Sequence, residues 1–202
     1  MTLPTKLTVS RIVMALLVIF ILLFPFYTVG IEFPRYVVGG VYVKLEYIIA
    51  GVLFILASIT DALDGNIARK RNLVSDTGKM LDAIADKILV DSILIILASQ
   101  DVISVIIPVV VIIRDIVVDA LKMEAASKGK VVAAIMSGKI KTTFLMVGVA
   151  LTLFANLPFE MWNLYVSDFC LYFACVMSII SMIEYYNMCK KFFKEEPEVL
   201  KI

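Results

Sequence analysis

DALDGNIARKRNLVSDTGKMLDAIAD, residues 61–86, is the stretch on which the interpretation of this chain depends. Asp61 and Asp64 stand at the end of one long apolar segment, and Asp82 and Asp86 stand at the start of the next. Residues three or four apart share a face of an α-helix, so each pair is expected on one face. Four carboxylates at one helix boundary repel each other unless cations lie between them. The stretch therefore predicts a divalent-metal site that handles phosphates.

The composition indicates a membrane protein. The chain has 202 residues, of which 61% are hydrophobic and 18% are charged. A soluble domain rarely contains so much apolar sequence, and several separate apolar runs are long enough to cross a bilayer, which takes about 20 residues of helix. We predict an all-α, polytopic membrane protein in which residues 1–202 form a single domain. The net charge of +1 does not identify a partner, and we expect no nucleic acid.

The order of apolar and polar segments predicts a bundle of six transmembrane helices. A short polar segment at residues 1–10 is expected to lie at the membrane interface, and residues 30–44 are expected to form a loop. The charged connection after the second span is expected to continue that helix beyond the bilayer. The predicted spans are approximately 11–29, 45–64, 78–98, 102–123, 138–156 and 163–187.

The distribution of lysine and arginine gives the predicted orientation. The two termini, the connection between spans 2 and 3 and the connection between spans 4 and 5 contain most of these residues. On the other side, only Arg35 and Lys44 occur, both in the first loop. Positive charge is concentrated in cytoplasmic loops. We therefore expect an integral protein of a bacterial plasma membrane, with both termini and the acidic stretch facing the cytoplasm.

The residue types around the aspartates indicate the ligands of the site. The chain has no histidine, which excludes histidine-based zinc sites and Ser-His triads. Carboxylate oxygens suit a hard cation, Mg²⁺ or Mn²⁺. Gly65, Ala68 and Gly78 leave space for a diphosphate or a base to approach the backbone, and Arg69 offers a bidentate group for phosphate. Taken one at a time, each aspartate is more readily explained as a structural residue at a helix end; together they favour a metal site.

These residues resemble the signature of the CDP-alcohol phosphotransferase family. The signature is D-x-x-D-G-x-x-A-R, eight further residues and then G-x-x-x-D-x-x-x-D, and residues 61–86 match it without departure. The six-helix architecture of the family agrees with the predicted spans. The resemblance implies an enzyme that displaces CMP from a CDP-linked lipid with an alcohol acceptor. It also favours a homodimer.

The resemblance implies roles for individual residues. Asp86 would complete the metal site and act as the general base on the acceptor hydroxyl. The implied metal ligands are Asp61, Asp64, Asp82 and Asp86. The residues implied to line the pocket for the CDP-lipid are Gly65, Ala68, Arg69 and Gly78.

Cations outside the signature bear on the acceptor alcohol. Arg114 lies within the fourth predicted span, and Lys139 and Lys141 open the fifth, in SGKIKTT. A buried arginine needs a partner of opposite charge. Asp115 is the next residue, and we expect that it cannot share the helix face of Arg114. An anionic ligand could therefore be the partner of Arg114. These three cations predict a phosphorylated acceptor. The segments PTKLTVSR, RD and GKIKTT resemble the branch of the family that uses CDP-diacylglycerol and sn-glycerol 3-phosphate, although Thr5 replaces the more usual asparagine.

Other interpretations remain open from the sequence. The same chemistry could act on inositol phosphate or another alcohol acceptor. An aspartate-rich prenyltransferase also uses Mg²⁺ and diphosphate, but usually has two separate acidic loops. A divalent-cation transporter would use the acids as an ion path, yet no internal repeat is visible. No role is assigned to Asp115 or Asp119, and helix–helix polar contacts are expected for Asp91 and Glu184.

Overall fold

The computed structural model describes residues 3–30, 33–71 and 76–193; it describes side chains for residues 9–60, apart from 27, 29, 31 and 32, and for 84–190. Within these ranges the chain is mainly α-helical. The helices are α1 (Leu3–Leu23), α2 (Leu45–Arg71), α3 (Asp76–Ser99), α4 (Ile106–Ser127), α5 (Met136–Leu153) and α6 (Val166–Phe193). Each helix overlaps one of the predicted spans.

The first two helices extend beyond their apolar runs, α1 at its N-terminus and α2 at its C-terminus. Helix α2 extends to Arg71, which confirms the expectation that the charged connection continues this helix. Helix α1 begins at Leu3, so the backbone of residues 3–10 belongs to the same helix as the first apolar run. A separate N-terminal segment was expected there because of Pro4. Proline is tolerated in the first turn of a helix, where its missing N–H has no intrahelical partner.

The predicted loop at 30–44 contains a β-hairpin, so the expectation of an all-α chain is confirmed only in part: the described chain is mostly helical and has two short strands. Strands β1 (Arg35–Val38) and β2 (Val41–Lys44) pair antiparallel. Gly39 and Gly40 join them with φ values of +59° and +87°. Two left-handed residues between paired strands favour a tight hairpin turn, and β-branched and aromatic residues on both sides favour strands. The pattern RYVVGGVYVK is thus a hairpin signal that the loop interpretation missed.

The described helices contain fewer membrane-length apolar segments than the sequence predicted. In the described part of the chain, one helical segment, Val166–Lys190 in α6, is long and apolar enough to cross a membrane. The segments Val9–Leu23 and Leu45–Thr60 are apolar but shorter. The other helices carry charged residues along their length, including Asp91 in α3 and Arg114 in α4. One apolar span is therefore shown, and the six-span bundle stays a prediction.

The helices pack through a shared apolar core. Helix α1 contacts α2 and α3, while α6 contacts α4 and α5. Buried core side chains include Phe54 of α2, Ile93 of α3 and Leu171 of α6. A Cβ atom added to Gly148 of α5 would lie 2.8 Å from the Cδ2 atom of Leu171. This glycine therefore allows α5 and α6 to approach closely, as small residues do between packed helices.

Candidate active site

Helices α3, α4 and α5 enclose a cavity of about 210 Å³ that is lined mainly by ionisable side chains. Three helices that are separated in the sequence thus bring acids and bases together. Helix α3 contributes the C-terminal residue of the acidic signature, Asp86. The lining residues that can carry charge are Asp86, Lys87, Asp91, Arg114, Asp115, Asp119, Lys122 and Lys141.

Asp115 of α4 is the common partner of two cations in this cavity. Its Oδ1 atom accepts a hydrogen bond from Nη1 of Arg114 at 2.7 Å. The Nζ atom of Lys141 in α5 donates to both carboxylate oxygens, at 2.9 and 3.1 Å. Only 4% of the Lys141 side chain is exposed, so the contact with Asp115 is a buried ion pair. These three groups carry one formal positive charge, whereas the four acids and four bases of the whole lining balance.

The Arg114–Asp115 pair corrects the expectation that the two residues could not meet. Neighbouring residues on a helix point in different directions, but the long arginine side chain brings its guanidinium back to the carboxylate. The guanidinium also contacts α6, because Nε donates to Ser181 Oγ at 2.9 Å and the group lies 5.6 Å from the Tyr185 ring centroid. Arg114 is therefore held in one position by two helices.

Gly138 of α5 has no side chain, and this leaves room for the Arg114 guanidinium to lie against the helix. A Cβ atom at this position would lie 3.1 Å from Nη2 of Arg114. The start of α5 is in turn attached to α6, since Ser137 Oγ donates to the Glu184 carboxylate and the backbone N–H of Ile135 donates to the Tyr185 hydroxyl. Glu184 makes a helix–helix polar contact, as expected. These contacts fix the helix turn that carries Lys141.

Two further contacts extend the charged network toward the ends of the helices. Lys87 of α3 forms an ion pair with Asp119 of α4. Lys122 lies over the ring of Tyr185, 4.9 Å from its centroid. The sequence interpretation assigned no role to these residues. The signal was available, because Asp115, Asp119 and Lys122 recur at helical spacing along α4.

The structure brings some of the predicted site residues together. Asp86, Arg114 and Lys141 line the same cavity. Lys139 is exposed and lies outside the lining, because two residues along a helix rotate a side chain by more than half a turn. Asp91, which had no predicted role, also lines the cavity and is half-buried.

The remaining predicted residues lie where the structure describes only the backbone. It places residues 61–71 in α2 and residues 76–83 in α3. The helical backbone spaces position 82 one turn before Asp86. The predicted residues whose side chains lie outside the described ones are Asp61, Asp64, Gly65, Ala68, Arg69, Gly78 and Asp82.

The metal prediction depends on this same stretch. Among the residues whose side chains are described, no cluster of three acids, histidines or cysteines could hold a metal. Three of the four predicted ligands lie outside that set. The donor set itself fits the ion, because it consists of carboxylates without histidine, which suits Mg²⁺ or Mn²⁺.

Comparisons with known proteins agree with the signature. Residues 1–180 match a family model described as CDP-alcohol phosphatidyltransferase. A relative from Bacillus subtilis (strain 168) is 39% identical over 185 residues, which cover 92% of this chain and 93% of the relative. One from Rickettsia typhi (strain Wilmington) is 33% identical over 192 residues, covering 95% and 98%. Both are named CDP-diacylglycerol–glycerol-3-phosphate 3-phosphatidyltransferase.

A solved structure has the same fold. The crystal structure of Mycobacterium tuberculosis phosphatidylinositol phosphate synthase in its apo form aligns with a TM-score of 0.60. The alignment covers 100% of this chain and 94% of that one, at 16% sequence identity. At this identity the likeness concerns the fold alone.

Proposed function

The chain belongs to the CDP-alcohol phosphatidyltransferase family, and we propose on this premise that it transfers the phosphatidyl group of CDP-diacylglycerol to sn-glycerol 3-phosphate. The products are phosphatidylglycerophosphate and CMP. The observation that carries the proposal is the similarity along almost the whole chain to relatives named for this reaction. The cavity supports it, because the signature residue Asp86 lies there with Arg114 and Lys141.

The reaction is a displacement at phosphorus. The free primary hydroxyl oxygen of the acceptor attacks the β-phosphorus, which carries the diacylglycerol, and the bond from this phosphorus to the oxygen of CMP breaks. CMP leaves with that oxygen, and the hydroxyl proton passes to the carboxylate of Asp86. A carboxylate is a suitable general base in a chain without histidine.

We assign the binding of the metal and of the CDP-lipid to the residues of the acidic signature, 61–86. Asp61, Asp64, Asp82 and Asp86 would hold Mg²⁺ or Mn²⁺, which when bound neutralises the charge of the diphosphate and of the leaving group. The residues that form the surface for the CDP-lipid are Gly65, Ala68, Arg69 and Gly78. Much of the protein's task is to hold the two substrates in line.

The acceptor phosphate is assigned to the cations beside Asp86. Arg114 and Lys141 share one carboxylate, so each has hydrogen-bonding capacity left with which to bind an arriving phosphate. A fixed guanidinium recognises two phosphate oxygens at once. Lys139 stays in the assignment as an exposed cation more than half a turn around α5 from Lys141 and outside the cavity lining, where it would act only through long-range attraction. In this proposal the acceptor's phosphate lies near α4 and α5 and its free hydroxyl points toward Asp86.

The membrane placement follows from the charges of the connections. Six spans with both termini in the cytoplasm put the acidic signature on the cytoplasmic side of a bacterial plasma membrane. The apolar span in α6 and the apolar segments of α1 and α2 support this placement. A homodimer completes the proposed assembly.

An acceptor panel tests the reaction. The purified protein is given CDP-diacylglycerol and Mg²⁺ with either sn-glycerol 3-phosphate or inositol phosphate, and CMP release is measured. We expect release with glycerol 3-phosphate. Release only with inositol phosphate would assign the other acceptor. Metal uptake into vesicles without CMP release would favour a divalent-cation transporter.

A further inference from the structure

Another cavity, of about 760 Å³, lies where the C-terminal end of α1, the hairpin and the start of α2 meet. It is well separated from the candidate active site. Gln100, which lines it just after α3, follows Asp86 by 14 residues, or roughly 20 Å along a helix. The proposed reaction uses no residue of this cavity, so it has no assigned function.

Two cations stand side by side at the rim of this cavity. Arg35 and Lys44 are direct partners in the register of the hairpin, and both line the cavity. Like charges directly opposite each other destabilise a strand pair. In the part of the chain with described side chains, neither cation makes an ion pair, although Glu46 also lines the cavity. An anion between Arg35 and Lys44 would remove their repulsion.

Another part of the cavity lining is aromatic and apolar. Phe26 contacts Phe24 and Phe33 edge to face, with ring centroids 4.7 and 4.9 Å apart. All three phenylalanines line the cavity. A cationic rim next to an aromatic wall fits a ligand that is anionic at one end and apolar at the other. Inorganic phosphate has no part that would use this wall.

The cavity is held in shape by contacts between the elements around it. The Tyr47 hydroxyl of α2 donates to the side-chain oxygen of Gln100, and Gln100 Nε2 donates to the backbone oxygen of Leu22 in α1 at 3.0 Å. At the hairpin turn, a Cβ on Gly39 would lie 2.6 Å from the Met161 methyl group, so the turn packs closely on the loop before α6. The cavity is therefore preformed, as ligand sites usually are.

We propose that this cavity binds one anionic phospholipid. Its phosphodiester lies between Arg35 and Lys44, and the start of one acyl chain lies along the phenylalanine wall. The site is on the membrane face opposite the catalytic site, a position that rests on the membrane placement proposed above. Bound lipid joins the hairpin to α1 and α2 and stabilises that end of the protein.

The test compares short-chain lipids with free anions. Purified protein, freed of lipid in a neutral detergent, is titrated with dihexanoyl phosphatidylglycerol, dihexanoyl phosphatidylcholine or inorganic phosphate, and binding is measured by native mass spectrometry and thermal shift. The test variant is Arg35→Gln/Lys44→Gln. The control variant, Lys128→Gln/Lys190→Gln, removes two cations elsewhere in the described helices and loops. CMP release is measured on every protein.

Wild-type protein should bind phosphatidylglycerol more tightly than phosphatidylcholine. The test variant should lose about thirtyfold in affinity, since each basic residue near an anionic lipid contributes roughly fivefold. The control variant should bind as wild type, and all variants should still release CMP. Equal affinity for the two lipids, or equal stabilisation by phosphate alone, would overturn this proposal whatever the test variant does. Absence of CMP release from wild type would instead overturn the proposed function and leave the lipid comparison interpretable.

Discussion

Lys141 in α5 donates hydrogen bonds to both carboxylate oxygens of Asp115 in α4, at 2.9 and 3.1 Å. The same carboxylate accepts from Arg114. One acid thus positions two of the three cations that the sequence assigned to the acceptor phosphate, and it joins α4 to α5 beside Asp86.

Asp115→Asn should weaken both folding and acceptor binding. The substitution leaves two cations with a neutral partner, and breaking a buried ion pair typically costs about 3–5 kcal/mol. We expect a lower thermal unfolding temperature and a raised KM for glycerol 3-phosphate. The matched control is Asp119→Asn, whose partner Lys87 is 37% exposed, so the cost should stay below about 1 kcal/mol. Equal destabilisation by the two substitutions would contradict the role of Asp115.

Lys141→Ala should act on the acceptor rather than on the CDP-lipid. Hydrogen bonds to charged groups contribute about 1.5–3 kcal/mol, so the KM for glycerol 3-phosphate should rise about tenfold or more. Lys139→Ala should have a smaller effect, since Lys139 is exposed and lies outside the cavity lining. The measurement is steady-state kinetics with each substrate varied in turn. Matching increases in KM for both substrates would argue against an acceptor site at Lys141.

Asp86→Asn should separate turnover from binding. The amide has nearly the same shape but cannot take the proton of the acceptor hydroxyl, so kcat should fall by about 10²–10⁴-fold. Binding of CDP-diacylglycerol should change much less than turnover, because three other aspartates remain for the metal. Single-turnover kinetics measure the rate of the chemical step, and native mass spectrometry measures the binding of CDP-diacylglycerol. A variant that turns over at the wild-type rate would remove Asp86 from the role of base.

Removal of divalent cations should abolish activity. The proposed ligands are all carboxylates, which bind Mg²⁺ and Mn²⁺ through oxygen. CMP release should stop in excess chelator and return when either ion is added back. Full activity after exhaustive chelation would show that the signature aspartates do not act through a metal.

Gly148→Leu should loosen the contact between α5 and α6. Even the first side-chain atom would lie 2.8 Å from Leu171 Cδ2. Overpacking of this kind costs about 1–3 kcal/mol. Thermal unfolding in detergent measures the loss, with Val147→Leu, at an exposed position next to it, as the control. Unfolding temperatures that agree for the two variants would contradict the packing of these helices.

Hydropathy and charge spacing predicted the helices because these patterns are local. Helix α2 follows from the apolar run that begins at Leu45, and its extension to Arg71 is compatible with the absence of proline between these residues, although Gly65 lies within the helix. The hairpin was missed because the glycines of the first loop were interpreted as loop residues, whereas Gly39 and Gly40 form a two-residue turn between paired strands.

The site was predicted only in part because pair contacts depend on packing between helices. The acidic signature identified Asp86, and cations within or at the start of apolar segments identified Arg114 and Lys141; all three line one cavity. These patterns could not show that Lys141 reaches Asp115 from another helix, or that Arg114 bends back to its neighbour. Lys139 and Lys141 looked equivalent in the sequence, but the rotation of α5 buries one and exposes the other.

The most direct measurement of the central claim follows one oxygen atom. sn-Glycerol 3-phosphate carrying ¹⁸O in its free primary hydroxyl is incubated with CDP-diacylglycerol, Mg²⁺ and the purified protein, and both products are analysed by mass spectrometry. Attack of that hydroxyl on the β-phosphorus predicts phosphatidylglycerophosphate that retains the label, together with unlabelled CMP. Labelled CMP, or no phosphatidylglycerophosphate at all, would contradict the account.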